Sequence, residues 1–320
     1  MADQQLCATF PDGTQMPLMA FGTLMESLSP DEDQVVEIVK NAIEVGYRHL
    51  DTARIYNTER AVGRAVREKI QEGVIWRKDI FITTKLWRNS MERHLVVPAL
   101  KESLEELGQP YVDLFLLHWP TAFLSGESLF PKDEVGKFQY AHIDYLDTWK
   151  GMEDCVRLGL TKAIGVSNFN SKQLQRVLDN SSIKPVNHQI ECHPYLTNSK
   201  MVKFCHDRHI SVTAYTPLAG FNPSYREEKG WPTIFTDERI LSIAKKYNRT
   251  PAQVALRFQL QRGVAVAPKS SKLQRMRENF QALDFELRAE DMAIIESCNQ
   301  DLRLNAEFPD HPYYPFHEEF

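Results

Sequence analysis

The chain has little cysteine, no long apolar run and no surplus of positive charge, and each shortage removes a class of function. Its five cysteines, Cys7, Cys155, Cys192, Cys205 and Cys298, are odd in number and scattered, with no CxxC pair. They read as reduced thiols of a cytoplasmic protein rather than as a disulfide framework. No apolar run approaches the roughly 20 residues of a membrane helix. The N-terminus, MADQQLCATFPDG, has no basic stretch followed by an apolar one, so no secretory signal is read. Without a secretory route, the glycosylation patterns at Asn180 and Asn248 are chance matches. A net charge of −5 and a pI of about 6.1 give no electrostatic reason to expect nucleic acid or an anionic membrane. Low-complexity tracts and flexible linkers are missing too, so all 320 residues read as one domain.

What is present is a rhythm. Short apolar runs alternate with segments of helical period, the mark of repeated βαβ units. Eight runs predict strands, over 17–23, 47–52, 79–86, 111–118, 161–166, 185–190, 211–215 and 264–268. Most are continuous Val/Ile/Leu/Phe stretches, as parallel strands buried on both faces require. Ser29-Pro30-Asp31-Glu32 predicts a capping box with Pro at the first helical position. Thr250-Pro251 predicts a second helix start, which Gly263 ends. Pro98 predicts a helix that starts or bends near it. Before the rhythm begins, residues 6–10 and 14–18 flank Asp12-Gly13 and predict a hairpin that plugs one end of the fold.

Eight such units form a closed barrel or an open doubly wound sheet. No G-x-G-x-x-G follows the first strand and no P-loop lysine motif occurs, which lowers the second option. The expectation is an α/β fold, a (β/α)8 TIM barrel with an N-terminal hairpin plug. Three long irregular stretches, 119–145, 218–236 and 301–320, should be loops at its C-terminal face. The first and last are rich in aromatic residues, so they predict ordered walls of a substrate pocket.

Chemistry in such barrels sits at the C-terminal ends of the strands. Those ends carry Asp51, with Tyr56 five residues on, then Lys85 and His118. A carbonyl that accepts hydride needs a proton on oxygen. A tyrosine can supply it, and a neighbouring ammonium makes it a stronger acid. Lys85 can play that part, Asp51 can hold Lys85, and His118 can orient the carbonyl. Each residue alone has a plainer reading. A Lys and an Asp on adjacent strands make an ion pair, and a lone His after an apolar run is commonly structural. The catalytic reading rests on all four falling at strand ends.

The segment GYRHLDTARIYNTERAVG, starting at Gly46, resembles the first signature of the aldo-keto reductase superfamily. Further similar segments follow in order: KLW from Lys85, DLFLLHWP from Asp113, IGVSNF from Ile164, NHQIECHP from Asn187, AYTPL from Ala214, PKS from Pro268 and YPFHEEF from Tyr314. They run through essentially the whole chain, and the last is most similar to the animal aldose and aldehyde reductase branch.

The resemblance implies an NADPH-dependent reductase of aldehydes and ketones, with a small-molecule carbonyl substrate and no obligate protein partner or metal. Tyr56 would be the general acid, assisted by Lys85 and Asp51, with His118 orienting the substrate. Ser167, Asn168 and Gln189 would bind the nicotinamide carboxamide, and Tyr215 would stack on the ring. Lys269, Ser270 and Arg275 would take the 2′-phosphate, and Glu278 and Asn279 the adenine. Thr23, Leu24, Asp51, Thr216, Pro217 and Leu218 would complete the cofactor site. Trp87, His118, Trp119 and Phe130 would line the substrate pocket. Leu24 stands where the aldose reductase branch commonly has tryptophan, which implies a wider pocket. Ala267 replaces a larger aliphatic residue, and 219–235 aligns with no pattern of the family.

Two rival readings come from other classes. One is a non-catalytic cofactor-binding protein on the same fold, which the intact tetrad argues against. The other is a metal-dependent barrel hydrolase using His118, His188 and His193. It lacks a His-x-His at the first strand end and a carboxylate-rich ligand set.

Overall fold

A computed structural model describes residues 6–220, 230–318 and 320. The hairpin is present. β1 (Cys7–Thr9) pairs antiparallel with β2 (Gln15–Pro17) around Gly13, whose φ of +86° suits a residue without Cβ. Its Phe10 and Met16 are buried in the main apolar core, so the hairpin does close over that core.

Eight parallel strands follow: β3 (Phe21–Gly22), β4 (His49–Asp51), β5 (Phe81–Leu86), β6 (Val112–Leu117), then β9 (Thr161–Ser167), β10 (Asn187–Glu191), β11 (Ser211–Tyr215) and β12 (Val264–Val266). The short pair β7 (Ala122–Phe123) and β8 (Tyr140–Ala141) lies in the loop after β6. Each barrel strand pairs with its sequence neighbour in the barrel. Closure comes from Ala20 donating to the Val266 carbonyl, Val266 to that of Leu18, and Gly22 to that of Pro268. A Cβ on Gly22 would lie 2.9 Å from the Ala267 carbonyl oxygen, so this seam needs glycine. The result is the (β/α)8 barrel.

The first predicted strand, 17–23, is thus split. Pro17 ends the hairpin, and only Phe21 and Gly22 form a regular strand. Proline has no N–H to give a barrel ladder.

The helices are α1 (Glu32–Val45), α2 (Glu59–Gln71), α3 (Arg93–Leu107), α4 (Tyr145–Arg157), α5 (Ser171–Asn180), α6 (Ser199–His206), α7 (Glu238–Tyr247), α8 (Pro251–Gln261), α9 (Leu273–Phe280) and α10 (Ala289–Glu296). Thr250 caps α8 in a box with Gln253, and Pro251 is its first residue, as expected. One expectation needs correction. Asp31, not Ser29, caps α1 by accepting from the Gln34 N–H, so Pro30 precedes the cap. Pro98 lies inside α3, which begins five residues earlier at Arg93. The stripe Val35, Val36, Val39, Ile43 does face the core. Of the predicted loop 218–236, residues 221–229 lie outside the described residues. Among the described residues, no helix is long and apolar enough to cross a membrane.

β5 and β6 are buried along their whole length although each contains a charge. Asp113, near the start of β6, accepts from Arg77 at 2.9 Å, Lys162 at 2.8 Å and the Ile82 N–H at 3.0 Å. Lys85, near the end of β5, is the other charge, and it belongs to the opposite mouth of the barrel.

Candidate active site

Lys85 is completely buried, and its ammonium has three acceptors for three protons. It donates to Asp51 Oδ1 at 2.6 Å, to the Thr52 carbonyl at 2.9 Å and to Tyr56 Oη at 3.2 Å. Asp51 Oδ2 accepts from Gln189 Nε2 at 2.7 Å, so both carboxylate oxygens are engaged. Tyr56 sits on a short 3₁₀ turn, Arg54–Tyr56, directly after β4. Because Tyr56 Oη receives a proton from Lys85, its own O–H is left to point elsewhere. The ring is partly exposed, at the mouth.

The charges oppose one another. Burial is the largest influence on Tyr56 and raises its pKa. The Lys85 ammonium pulls it down, Asp51 pushes it up, and the net direction is upward. Lys85 does lower the Tyr56 pKa, as expected, but the ammonium offsets only part of a larger burial cost. Burial also lowers the pKa of Lys85, but Asp51 and Tyr56 outweigh it and hold the residue cationic. His118 is driven well below its ordinary pKa by burial, with Lys85 and Arg88 adding to the effect. It is a neutral imidazole, set edge-on against Tyr56 with ring centroids 5.9 Å apart and against Trp87 at 5.2 Å.

The four residues predicted from strand ends thus meet at one point. Ser167, Asn168, Gln189 and Tyr215 lie beside them. Asn168 donates to the His118 carbonyl at 3.1 Å and to Ser167 Oγ at 3.2 Å, and accepts from Tyr215 Oη at 2.7 Å. Its φ of +61° turns the chain sharply as β9 ends. Thr23 is buried and reaches the Asp51 carbonyl through N–H and hydroxyl, while Leu24 is 38% exposed. Thr216, Pro217 and Leu218 continue from β11, with Thr216 at φ +51°.

Lys269, Ser270 and Arg275 stand around the start of α9. Ser270 Oγ accepts from the Lys272 N–H, Lys269 faces the exposed Glu26 at 3.5 Å, and Arg275 is exposed with no ion pair among the described residues. Glu278 accepts from Gln274, and Asn279 is buried. This end of the site offers available cations at a helix start, which suits a phosphate. A carboxamide fits the other end. Gln189 keeps its Oε1 as an acceptor, and Asn168 Oδ1, which accepts from Tyr215, retains a second lone pair.

Trp87, Trp119 and Phe130 fall in one aromatic cluster with Phe123, Phe138, Phe308 and Phe316. Trp87 meets Phe130 at 5.6 Å, and Trp119 meets Phe316 at 5.9 Å. The loops 119–145 and 301–320, except Glu319, form these walls as ordered chain. The C-terminal stretch is docked by Glu191, a fully buried carboxylate that accepts from His193 and from the N–H groups of Leu304 and Asn305. Sequence reasoning missed Glu191, Arg88, Phe123 and Phe308. A cavity of about 470 Å³ adjoins Lys85 and Trp87, lined also by Arg54, Ser90, Pro98 and Ser103.

Comparison with known proteins agrees with this architecture. The Aldo/keto reductase family profile matches residues 18–300. The chain belongs to the aldo-keto reductase family. Its relatives include aldo-keto reductase family 1 member C15 of Rattus norvegicus, 45% identical over 97% of this chain and 96% of that protein. Prostaglandin F synthase 2 of Bos taurus is 45% identical over 97% of both chains, and estradiol 17 beta-dehydrogenase 5 of Mus musculus is 42% identical over the full length of both. This aldo-keto reductase is therefore an oxidoreductase, built for NADP-dependent carbonyl reduction in the general sense.

Proposed function

We propose that this aldo-keto reductase uses NADPH to reduce apolar aldehydes and bulky ketones to alcohols, as a single cytoplasmic barrel domain, with Tyr56 as proton donor. The observation that carries the reading is the saturated Lys85 ammonium. It donates one hydrogen bond to Tyr56 Oη and leaves the phenolic hydrogen to be given away.

When bound, NADPH supplies the hydride. Ser167, Asn168 and Gln189 hold its carboxamide, and the Tyr215 ring supports the nicotinamide face. Thr23, Leu24, Thr216, Pro217 and Leu218 would complete its site. Lys269, Ser270 and Arg275 hold the 2′-phosphate, and Glu278 and Asn279 the adenine. The neutral His118 donates a hydrogen bond to the substrate oxygen and orients it. As negative charge develops on that oxygen, Tyr56 transfers its proton. The phenolate left behind is balanced by Lys85, whose charge Asp51 holds in place. Trp87, Trp119 and Phe130 exclude water around the carbonyl.

The names of the relatives support bulky ketones as substrates, and the absence of an indole at position 24 is compatible with them. The test follows NADPH absorbance at 340 nm with a panel of aldehydes and steroid ketones, beside Tyr56→Phe. Tyr56→Phe should bind NADPH normally and lose nearly all reduction. Equal turnover would refute Tyr56 as the acid.

A further inference from the structure

Arg88 follows Trp87 and starts the 3₁₀ turn Arg88–Ser90. A guanidinium in such a turn ordinarily reaches water, yet this side chain is only 1% exposed. Its Nε donates to the Thr121 carbonyl at 3.1 Å. Both remaining nitrogens, Nη1 and Nη2, are enclosed without a hydrogen-bond partner, and Arg88 has no ion pair among the described residues. The Thr121 hydroxyl beside it is likewise enclosed and unpartnered. Around the guanidinium stand Phe123 at 4.0 Å, Phe308 at 4.5 Å and Trp119 at 5.8 Å from Cζ. Rings recover part of the cost of burying a cation, but they accept no N–H in the plane of the fork.

We propose that Arg88 is a substrate-specificity residue that anchors a carboxylate on the carbonyl substrate. This rests on the reductase reading above and adds the substrate class: aldehydes or ketones that carry a carboxylate beyond an apolar body. A carboxylate suits the site better than a phosphate dianion. One guanidinium balances one negative charge, and its fork meets two coplanar oxygens. The Thr121 hydroxyl offers one more donor, and the Phe123 and Phe308 rings offer none. The site adjoins the chemistry, because Trp119 over the guanidinium belongs to the same aromatic cluster as Trp87 and Tyr56, and the charge of Arg88 is felt at His118. Phe308 covers the guanidinium from the C-terminal segment, with a backbone φ of +65° in the left-handed region. Its ring must turn aside to admit the carboxylate.

The experiment compares ω-oxo carboxylic acids of increasing chain length, and 4-carboxybenzaldehyde, with their methyl esters. In the wild type, at least one acid should exceed its ester in kcat/KM by about tenfold or more, mainly through KM. Arg88→Met should bring that acid down to its ester while leaving the ester within about twofold. No acid preference anywhere in the series would overturn the assignment, as would a preference that survives Arg88→Met. Thermal shift of the wild type with NADP+ gives a second readout that needs neither turnover nor the variant. The favoured acid should raise Tm and its ester should not; equal shifts would overturn the proposal. If neutral aldehydes are not reduced either, the reductase reading fails, and the thermal shift still decides the carboxylate site.

Discussion

Replacing Lys85 by methionine tests the site through its central charge. The ammonium lies 3.2 Å from Tyr56 Oη. At an effective dielectric constant of about 20, unit charges at that separation attract by roughly 5 kcal/mol. Only part of a full phenolate charge exists when the proton is half transferred, and Asp51 cancels some of the field. A loss of about 2.5 kcal/mol in the transition state is therefore expected, or roughly a hundredfold in kcat/KM for reduction. Affinity for NADPH should hold within a few-fold. The variant also strips Asp51 of its ion-pair partner, so Lys85→Met should be made alone and together with Asp51→Asn, which removes the orphaned charge. Reduction needs the protonated phenol, so its rate falls as pH rises through the Tyr56 pKa. Without Lys85 that pKa climbs further, and the alkaline limb should move to higher pH. Alcohol oxidation needs the phenolate and should suffer more than reduction at neutral pH. Steady-state rates in both directions across pH read all of this. Rates within threefold of wild type, or an unmoved alkaline limb, would refute the role given to Lys85.

Other positions give separate tests. Arg275→Ala removes an exposed cation at the start of α9 and should raise the KM for NADPH about tenfold or more, with that for NADH unchanged; a matched change would exclude Arg275 from 2′-phosphate recognition. Leu24→Trp should lower kcat/KM for steroid ketones and spare small aldehydes, and equal effects on both would remove position 24 from substrate selection. Glu191→Ala should undock the C-terminal segment at a cost of about 3 kcal/mol, seen as faster hydrogen exchange at Leu304 and Asn305. Burial raises the pKa of Glu191, but His193 and those two N–H groups outweigh it, and the net direction is down. Its stabilisation is therefore fully present above the ordinary glutamate value, near pH 4.3, and is lost below it, as pH falls through the lowered folded pKa. Exchange at those amides that stays slow in acid would contradict the docking role.

Much of the barrel was legible because its strands are continuous apolar runs. The observed Phe81–Leu86 and Val112–Leu117 fall inside the predicted 79–86 and 111–118. The first strand was less so. Its closure bonds alternate with the last strand rather than forming a regular run, and nothing local announces that Pro17 belongs to the hairpin. Pro98 left two readings open, a nearby start or a bend, because a proline early in a helix forfeits one backbone bond that neighbouring turns can outweigh. The tetrad was legible because Asp51, Lys85 and His118 fall at strand ends and Tyr56 follows in the turn after β4. Arg88 was not, since a charged residue in a turn carries no local sign of burial; the rings that enclose it come from loops more than 30 residues away. The direction of the Tyr56 pKa was also out of reach, because it depends on how deeply the ring is buried.

Asp113 and Asp51 show why burial of a charge does not by itself mark a catalytic site. Both carboxylates are nearly inaccessible, and both are paired with cations. Asp113 collects Arg77, Lys162 and a backbone N–H, and the chain of contacts stops at those donors. Arg77 also donates to the carbonyls of Ile80 and Tyr111, with Nε its one nitrogen left without an acceptor, so the group fastens β6 to its neighbours. Asp51 takes one proton from Lys85 and one from Gln189, which leaves Lys85 a proton for Tyr56 and leaves Tyr56 a proton for something outside the chain. The difference lies in where the donor chain ends. At the first site it closes on protein atoms; at the second it ends on an O–H at the mouth of the barrel. By the same criterion Arg88 and Thr121, whose donors also end on nothing in the protein, belong with the second kind.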